Sequence, residues 1–337
     1  MLSVGIVGLP NVGKSTLFNA LTAGHAEVSN YPFTTIGSNI GVVPVPDPRL
    51  FELERVLHPE KTTPGTVRFI AIAGLVQGAS KGAGLGNQFL GEIRQVAAIA
   101  HVVRCFRKGD VAHVFADVDP LRDIGVIDTE LVLADLEVLD RAIAKRAKDW
   151  QTHPREHAFE RDRMLAWKES LERGDFLRGL DLDETTRREL KTAGLITGKP
   201  VLYVANVSSD VEAAACDELT RRDPGARIVV IDAELELELY QLDTDERAEF
   251  MTELDLTETG LDQLARAAFE LLGLISFYTV VKNKLQAWEI PTGTRATTAA
   301  GKVHSDMEKG FIRAQVVSAD ELIEVGDLHE IRNRGHS

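Results

Sequence analysis

The sequence has very little cysteine, no long apolar run and no excess of positive charge. Cys105 and Cys216 are the two cysteines in 337 residues, which excludes a disulfide framework and favours a reducing cytoplasm. No apolar stretch approaches the ~18–20 residues that cross a bilayer, so we expect no membrane partner. The N-terminus lacks the basic segment and cleavage site of a signal peptide. The net charge of −14 argues against non-specific DNA binding, and we expect no sequence-specific DNA partner.

What is present is an alternation of short apolar strands and helical segments. Runs that are apolar on both faces suggest strands of a parallel-type sheet covered on both sides. The helical patterns KSTLFNALTA and GNQFLGEIRQVAAIA each lie between two of these runs. The predicted strands are VGIVG, IGVV, VRFIAI, HVVRCF, VLYVAN and RIVVI. The sequence therefore predicts an α/β fold.

The alternation breaks once, between about residues 128 and 196. Apolar residues at helical spacing and a turn around Pro154 predict two long helices that form an inserted hairpin. From about Phe277 the chain looks strand-rich and carries the segment TTAAGKVHSDMEKGFIRAQVV. We therefore expect a nucleotide-binding domain over 1–127 and 197–275, a helical coiled-coil insertion over 128–196 and a last domain over 276–337.

The clearest chemical motif is GLPNVGKS, residues 8–15, which fits the pattern G-x-x-x-x-G-K-[ST]. Glycines at this spacing let backbone N–H groups wrap a phosphate chain, Lys14 reaches the β- and γ-oxygens, and the Ser15 hydroxyl faces Mg²⁺. The motif follows an apolar strand and opens a helix, as a phosphate-binding loop requires. The predicted phosphate-binding residues are Gly8, Asn11, Val12, Gly13, Lys14, Ser15 and Thr16.

Further pieces follow in the order that a nucleotide switch needs. Thr35, in the polar loop NYPFTTI, is the candidate switch hydroxyl for Mg²⁺ and the γ-phosphate. Gly74, after the strand VRFIAI, is placed to donate its N–H to the γ-phosphate. Asn206 and Val207 end the strand VLYVAN, where a loop that contacts the base would begin.

Taken together, these motifs resemble the YchF family of Obg-like ATPases over nearly the whole chain. The resemblance rests on GLPNVGKSTLFNALT, NYPFTTI, VVPVPDPRL, IAGLVQGASKGAGLGNQFL, HVVRCF, TELVLADLE and HSDMEKGFIRAQV. It implies a Ras-like P-loop domain, a coiled-coil insertion and a C-terminal TGS domain of β-grasp type. It also implies a preference for ATP with Mg²⁺, slow hydrolysis, and association with the ribosome through the large subunit and its rRNA.

The sequence departs from that family around the nucleotide. Ala71 stands where the family has the switch II aspartate, and Ala83 replaces a glutamate in the glycine-rich loop. Gly37 occupies an acidic position, and Asp232 stands where the family favours serine. The base motif reads Asn-Val-Ser-Ser, with Asp210 one place late. The chain also stops before the last strand pair of a complete TGS unit, so we expect an incomplete β-grasp sheet with an exposed edge around FIRAQVV.

Base choice and catalysis follow from single side chains. A guanine-specific site uses a carboxylate that accepts from N1–H and N2–H₂, and Ser209 supplies none, which favours ATP over GTP-specific binding. The amide of Asn206 offers a donor and an acceptor to adenine. Leu75, directly after Gly74, cannot orient water as the glutamine of Ras-type switches does. His113 is therefore a candidate catalytic residue, in addition to Lys14 and Thr35.

The inserted hairpin differs in charge from the rest of the chain. Residues 141–173 hold nine Lys/Arg against six Asp/Glu, which is typical either of a solvated helix face or of an rRNA contact. More than one function stays open at this point. The chain is either a slow ATPase whose nucleotide state controls ribosome association, or a ribosome-associated nucleotide-binding scaffold that has lost turnover. A nucleotide switch that also accepts GTP is a further alternative.

Overall fold

The computed structural model describes residues 2–23, 39–72, 74, 85–108, 113–115, 117–208, 219–220, 226–327 and 330–331. The chain forms two compact units. The first consists of residues 1–41 and 68–261, and the second of residues 42–67 and 262–337. The sequence prediction placed residues 42–67 in the nucleotide-binding domain, and it ended that domain at 275.

A six-stranded sheet is formed mostly by residues of the first unit. Its strands are β1 (Ser3–Val7), β2 (Ile40–Pro44), β4 (Thr66–Ala71), β5 (Ala98–Arg104), β6 (Val201–Asn206) and β7 (Arg227–Ile231). The order across the sheet is β2-β4-β1-β5-β6-β7. The neighbours from β4 to β7 pair in parallel, and β1 and β5 are buried along their whole length. The predicted parallel α/β sheet is confirmed.

Helices connect these strands and continue along the chain. Their bounds are α1 (Lys14–Ala23), α3 (Leu85–Gln95), α4 (Pro120–Thr152), α5 (Ala158–Glu172), α6 (Glu184–Ala193), α7 (Ala233–Gln241), α8 (Thr244–Glu253) and α9 (Gly260–Leu271). The longest, α4, begins eight residues before the predicted insertion because Asp119 caps it and Pro120 occupies its first turn. Within the described ranges, no helix has both the length and the apolar character needed to cross a bilayer.

The predicted hairpin is confirmed as the antiparallel pair α4–α5. Trp150, Met164 and Trp167 are buried in one cluster with Leu139 and Leu171, so both tryptophans pack inside the hairpin. Asp135 of α4 is fully buried and connects this helix to the segment that leads into β6. Its carboxylate accepts hydrogen bonds from the backbone N–H groups of Ile196 and Thr197 at 2.9 and 2.7 Å, and from the Thr197 hydroxyl at 2.7 Å.

The second unit is a smaller mixed structure. Its elements include α2 (Pro48–Leu57), β3 (Lys61–Thr63), β8 (Leu274–Val281), β9 (Lys284–Pro291), α10 (Ala296–Val303), α11 (Ser305–Lys309) and α12 (Ala319–Val325). The strands form a sheet in the order β3-β9-β8, where β8 and β9 are antiparallel and β3 pairs with β9 in parallel. The pairing of residues 61–63 with 284–286 is what joins residues 42–67 to the C-terminal part of the chain.

The placement of the last strands differs from the prediction. The strands are β8 and β9, joined by Lys282 and Asn283 at positive φ angles of 50° and 58°, as a tight hairpin turn requires. The segment TTAAGKVHSDMEKG, predicted to belong to a strand-rich region, instead forms α10, whose alanines favour helix, and α11, which the His304 side chain caps. Residues 311–318 form no strand, so the predicted sheet edge around FIRAQVV is wrong.

Candidate nucleotide-binding site

The predicted phosphate loop lies between the buried strand β1 and helix α1. The loop turns sharply, with positive φ angles at Gly8, Asn11 and Gly13 of 155°, 62° and 94°. Asn11 and Ser15 are exposed, whereas the side chain of Val12 is buried. The first hydrogen bond of the helix runs from the N–H of Leu17 to the carbonyl of Gly13 at 2.9 Å. The N-terminus of α1 therefore opens directly after the loop, where its backbone N–H groups favour an anion.

Close packing is a second reason, besides the positive φ angles, for glycine at positions 8 and 13. A Cβ atom at Gly8 would lie 2.5 Å from the carbonyl oxygen of Val102, and one at Gly13 would lie 2.1 Å from Nδ2 of Asn206. A Cβ atom cannot lie this close to the Val102 backbone, and at Gly13 it would displace the Asn206 amide. The loop can therefore keep its shape only with glycine at both positions.

Lys14 points back into the loop. Its Nζ donates a hydrogen bond to the carbonyl oxygen of Leu9 at 2.6 Å, and burial lowers its pKa from 10.5 to about 8. A Cβ built on Gly74 would lie 3.2 Å from the same Nζ. Gly74 therefore sits beside the lysine, as expected of a residue that faces the terminal phosphate.

Asn206 connects two parts of the site that are far apart in sequence. Its Nδ2 donates to the carbonyl of Val12 at 3.0 Å, and its Oδ1 accepts from the N–H of Ala233 at 3.1 Å. The amide thus fixes the phosphate loop to the start of α7, which Asp232 caps. The side chain of Val207, another predicted nucleotide-binding residue, is buried in a core cluster.

His113 is held away from solvent in this structure. Its Nδ1 accepts from the N–H of Phe115 at 3.0 Å, and its Nε2 lies 2.8 Å from Oδ2 of Asp123 near the start of α4. Both side chains are about 95% buried. Both ring nitrogens are occupied, so His113 must leave Asp123 before it can contact a water molecule. Its catalytic role stays a prediction.

The metal-binding prediction rests on few oxygen atoms. Ser15 lies in the first turn of α1 and is exposed, and a hydroxyl oxygen is a donor that Mg²⁺ accepts. Ala71 ends β4, in register with Ile6 of β1, and contributes no carboxylate. Thr35 lies outside the described residues, as do Gly37, Ala83 and Ser209. Among the residues proposed as Mg²⁺ ligands, Ser15 lies in the described part of the chain, and its hydroxyl fits an ion that takes most of its ligands from phosphate and water.

Sequence reasoning missed Arg104, which ends β5. The guanidinium donates to the carbonyls of Phe106, Asn11 and Lys108 at 3.2, 3.4 and 3.4 Å, and it lies over the Phe106 ring. Burial lowers its pKa, and Asp123 opposes that shift. The signal in the sequence was an arginine inside the apolar run HVVRCF. Arg104 ties the phosphate loop to the segment that follows β5.

These features define a P-loop nucleotide-binding domain: a glycine loop between a buried strand and a helix, a lysine at its end, and an asparagine at the end of β6 that is bonded to the loop. A family model described as "50S ribosome-binding GTPase" matches residues 3–136. A second, the YchF-GTPase C-terminal model, described as "Protein of unknown function (DUF933)", matches residues 274–337.

Whole-chain comparisons extend this result. The chain is 46% identical over 329 residues to "Ribosome-binding ATPase YchF" of Escherichia coli O157:H7, covering 95% of this chain and 89% of that protein. It is 43% identical over 342 residues to the protein of the same name from Bacillus subtilis (strain 168), covering 99% and 93%. The solved structure titled "Structure of the Schizosaccharomyces pombe YchF GTPase" matches with a TM-score of 0.88 and 30% identity, covering 99% and 92%. The chain belongs to the YchF family.

Proposed function

We propose that this protein binds ATP, hydrolyses it slowly, and associates with the ribosome according to its nucleotide state. The observation that carries the proposal is the intact phosphate loop, closed by Lys14 and fixed by Asn206. The names of the bacterial relatives, which describe ribosome-binding ATPases, support the nucleotide, the reaction and the partner.

The loop residues act on the phosphate chain. The backbone N–H groups of residues 8–13, apart from Pro10, which has none, surround the phosphates, and Lys14 exchanges the carbonyl of Leu9 for β- and γ-oxygens. Mg²⁺ neutralises charge on those oxygens when it is bound, with Ser15 and Thr35 as its proposed protein ligands. Gly74 donates its N–H to the γ-phosphate. His113, once released from Asp123, is the proposed group that positions the attacking water.

We expect the site to discriminate only weakly between adenine and guanine. One N–H of the Asn206 amide already donates to Val12, which leaves its second N–H for purine N7, an atom that adenine and guanine share. Selectivity then depends on position 209, where serine cannot pair with the N1–H and N2–H₂ of guanine. We expect ATP to bind at least as tightly as GTP in calorimetric titrations with Mg²⁺. A preference for GTP of about tenfold, or about 1.4 kcal/mol, would contradict this.

Nucleotide affinity should depend on the protonation of Lys14. In the free protein its ammonium loses a proton as the pH rises through about 8, whereas a bound triphosphate favours the charged form and raises the pKa. Binding therefore takes up a proton, and affinity for ATP should fall about tenfold per pH unit above about pH 8. Calorimetry in two buffers of different ionisation enthalpy measures both quantities.

The matched control is Lys14→Arg, which keeps its charge over this range. Its affinity should be lower than that of the unmodified protein but independent of pH. A flat profile in the unmodified protein, with no proton uptake, would show that Lys14 is already fully charged in the empty site.

The ribosome contact is proposed for the end of the hairpin. Six of the nine Lys/Arg residues in 141–173 form ion pairs with Asp or Glu. Lys145, Lys148 and Arg155 are exposed and form none among the described residues. Lys145 and Lys148 lie in the last two turns of α4 and Arg155 lies in the connection to α5, where these cations are available to rRNA phosphates of the large subunit.

Sedimentation with purified ribosomes tests the function. We expect more protein to pellet with ribosomes in a non-hydrolysable ATP analogue than in ADP, and this difference should vanish in Lys14→Ala. Reversing Lys145 and Lys148 to glutamate should reduce pelleting in both nucleotides and leave ATP binding unchanged. Equal pelleting in ATP analogue, ADP and no nucleotide would contradict control by the nucleotide.

A further inference from the structure

The turn between α4 and α5 carries three side chains with metal-binding atoms. These side chains are His153, Glu156 and His157, and one ligand atom from each lies within 4.8 Å of the other two. His153 and Glu156 are exposed, and His157 is about one-third exposed. None of the three takes part in the nucleotide site.

The backbone holds the two histidines one turn apart. The N–H of His153 donates to the carbonyl of Asp149 at 2.8 Å and ends α4, and the N–H of His157 donates to the carbonyl of His153 at 3.3 Å. The carbonyl of His157 accepts from the N–H of Arg161 at 2.9 Å, which starts α5. Pro154 fixes its own φ within the turn. The spacing of the ligands is therefore set by two helix ends.

We propose that His153, Glu156 and His157 form a binding site for Zn²⁺. Two imidazole nitrogens and one carboxylate oxygen are ligands that Zn²⁺ accepts, and water completes a tetrahedral shell. With bonds of about 2.0–2.1 Å, the ligand atoms must approach to about 3.3 Å of one another. Side-chain rotation supplies this movement, because His153 and Glu156 are exposed. The softer imidazole pair excludes Mg²⁺ and Ca²⁺, which take oxygen ligands.

A fourth side chain supports the site from outside. Oε2 of Glu160 lies 3.6 Å from Nδ1 of His157, and the same carboxylate binds Nε of Arg146 at 2.9 Å and Nε1 of Trp150 at 3.4 Å. A carboxylate beside a histidine fixes the orientation of the ring and raises its basicity toward a metal. The two glutamates also offset the positive charge of Arg146 and Arg155 near the bound ion.

Bound Zn²⁺ would link His153, which directly follows α4, to His157, which directly precedes α5. The link should stiffen the end of the hairpin that we propose meets the ribosome. It would also place a divalent cation among the exposed cations of that surface. The site itself does not depend on the nucleotide or on the ribosome.

The test is Zn²⁺ binding to the full chain, purified without a histidine tag and treated with a chelator. We expect one Zn²⁺ per chain by competition titration, with Co²⁺ at the same site giving visible absorption typical of tetrahedral coordination. His153→Ala and His157→Ala should each weaken binding by at least about tenfold, and Glu156→Gln by about tenfold. The control His304→Ala should bind as the unmodified protein does. His304 lies 3.5 Å from one carboxylate, that of Asp306, and belongs to no group of three ligands among the described residues.

Hydrogen exchange supplies the second measurement. Zn²⁺ should slow amide exchange in residues 153–158 of the unmodified protein and of His304→Ala, but not in His153→Ala. Unchanged Zn²⁺ affinity in both His153→Ala and His157→Ala would overturn the proposal, as would protection that appears elsewhere in the chain. Far-ultraviolet circular dichroism checks that each variant keeps its helices.

Discussion

Replacing Asp135 with alanine is expected to lower the free energy of unfolding by about 3–5 kcal/mol, because each buried hydrogen-bond donor left without an acceptor costs about 1–3 kcal/mol. Three donors lose their acceptor: the N–H groups of Ile196 and Thr197 and the hydroxyl of Thr197. Burial raises the pKa of Asp135, and these hydrogen bonds oppose that rise. Denaturant titration measures the loss.

Two matched variants separate this effect from a general loss of charge on α4. Asp140→Ala removes a carboxylate from the same helix that is more than half exposed and pairs with Lys168, so it should cost less than about 1 kcal/mol. Thr197→Val removes one of the three donors and should cost an intermediate amount. A loss below about 1 kcal/mol in Asp135→Ala would mean that solvent replaces the carboxylate.

Replacing Ala71 with aspartate is expected to raise ATP turnover about 10–100-fold, the scale on which outer-sphere metal partners act. Ala71 ends β4 beside the strand that leads into the phosphate loop, with its N–H bonded to the carbonyl of Asn39 at 2.9 Å. An aspartate side chain there adds the negative charge that Ser15 and Thr35 lack. The unmodified protein should therefore bind ATP with little dependence on Mg²⁺, and the variant should need Mg²⁺ for full turnover.

The control is Ala71→Asn, which has nearly the shape of aspartate without its charge. It should leave turnover and Mg²⁺ dependence unchanged. If the unmodified protein turns over ATP rapidly and Ala71→Asp changes neither quantity, the metal does not depend on this position. If neither protein turns over ATP although both bind it, the chain is the nucleotide-binding scaffold that the loss of the carboxylate also permits.

Local sequence was sufficient to predict the strands of the six-stranded sheet, helices α1 and α3, the helical hairpin and the position of the glycine loop. Strands such as Val201–Asn206 and helix Lys14–Ala23 could be predicted because burial on both faces, helical spacing and the glycine motif act over a few residues. The prediction from local sequence failed after residue 291, because a short apolar or alanine-rich segment is compatible with either a strand or a helix. Helix Ala296–Val303 reflects alanine propensity, and the hairpin of β8 and β9 that precedes it depends on two residues at positive φ.

The sequence by itself determined the class of fold and the position of the glycine loop between β1 and α1, because both depend on residue type and short spacing. Only the tertiary structure decided what those residues contact. Asn206 meets Val12 across 194 positions, and β3 joins β9 across more than two hundred. His113 meets Asp123 because the end of β5 and the start of α4 pack together. Such contacts arise from the packing of whole elements, so no local pattern of residues specifies them.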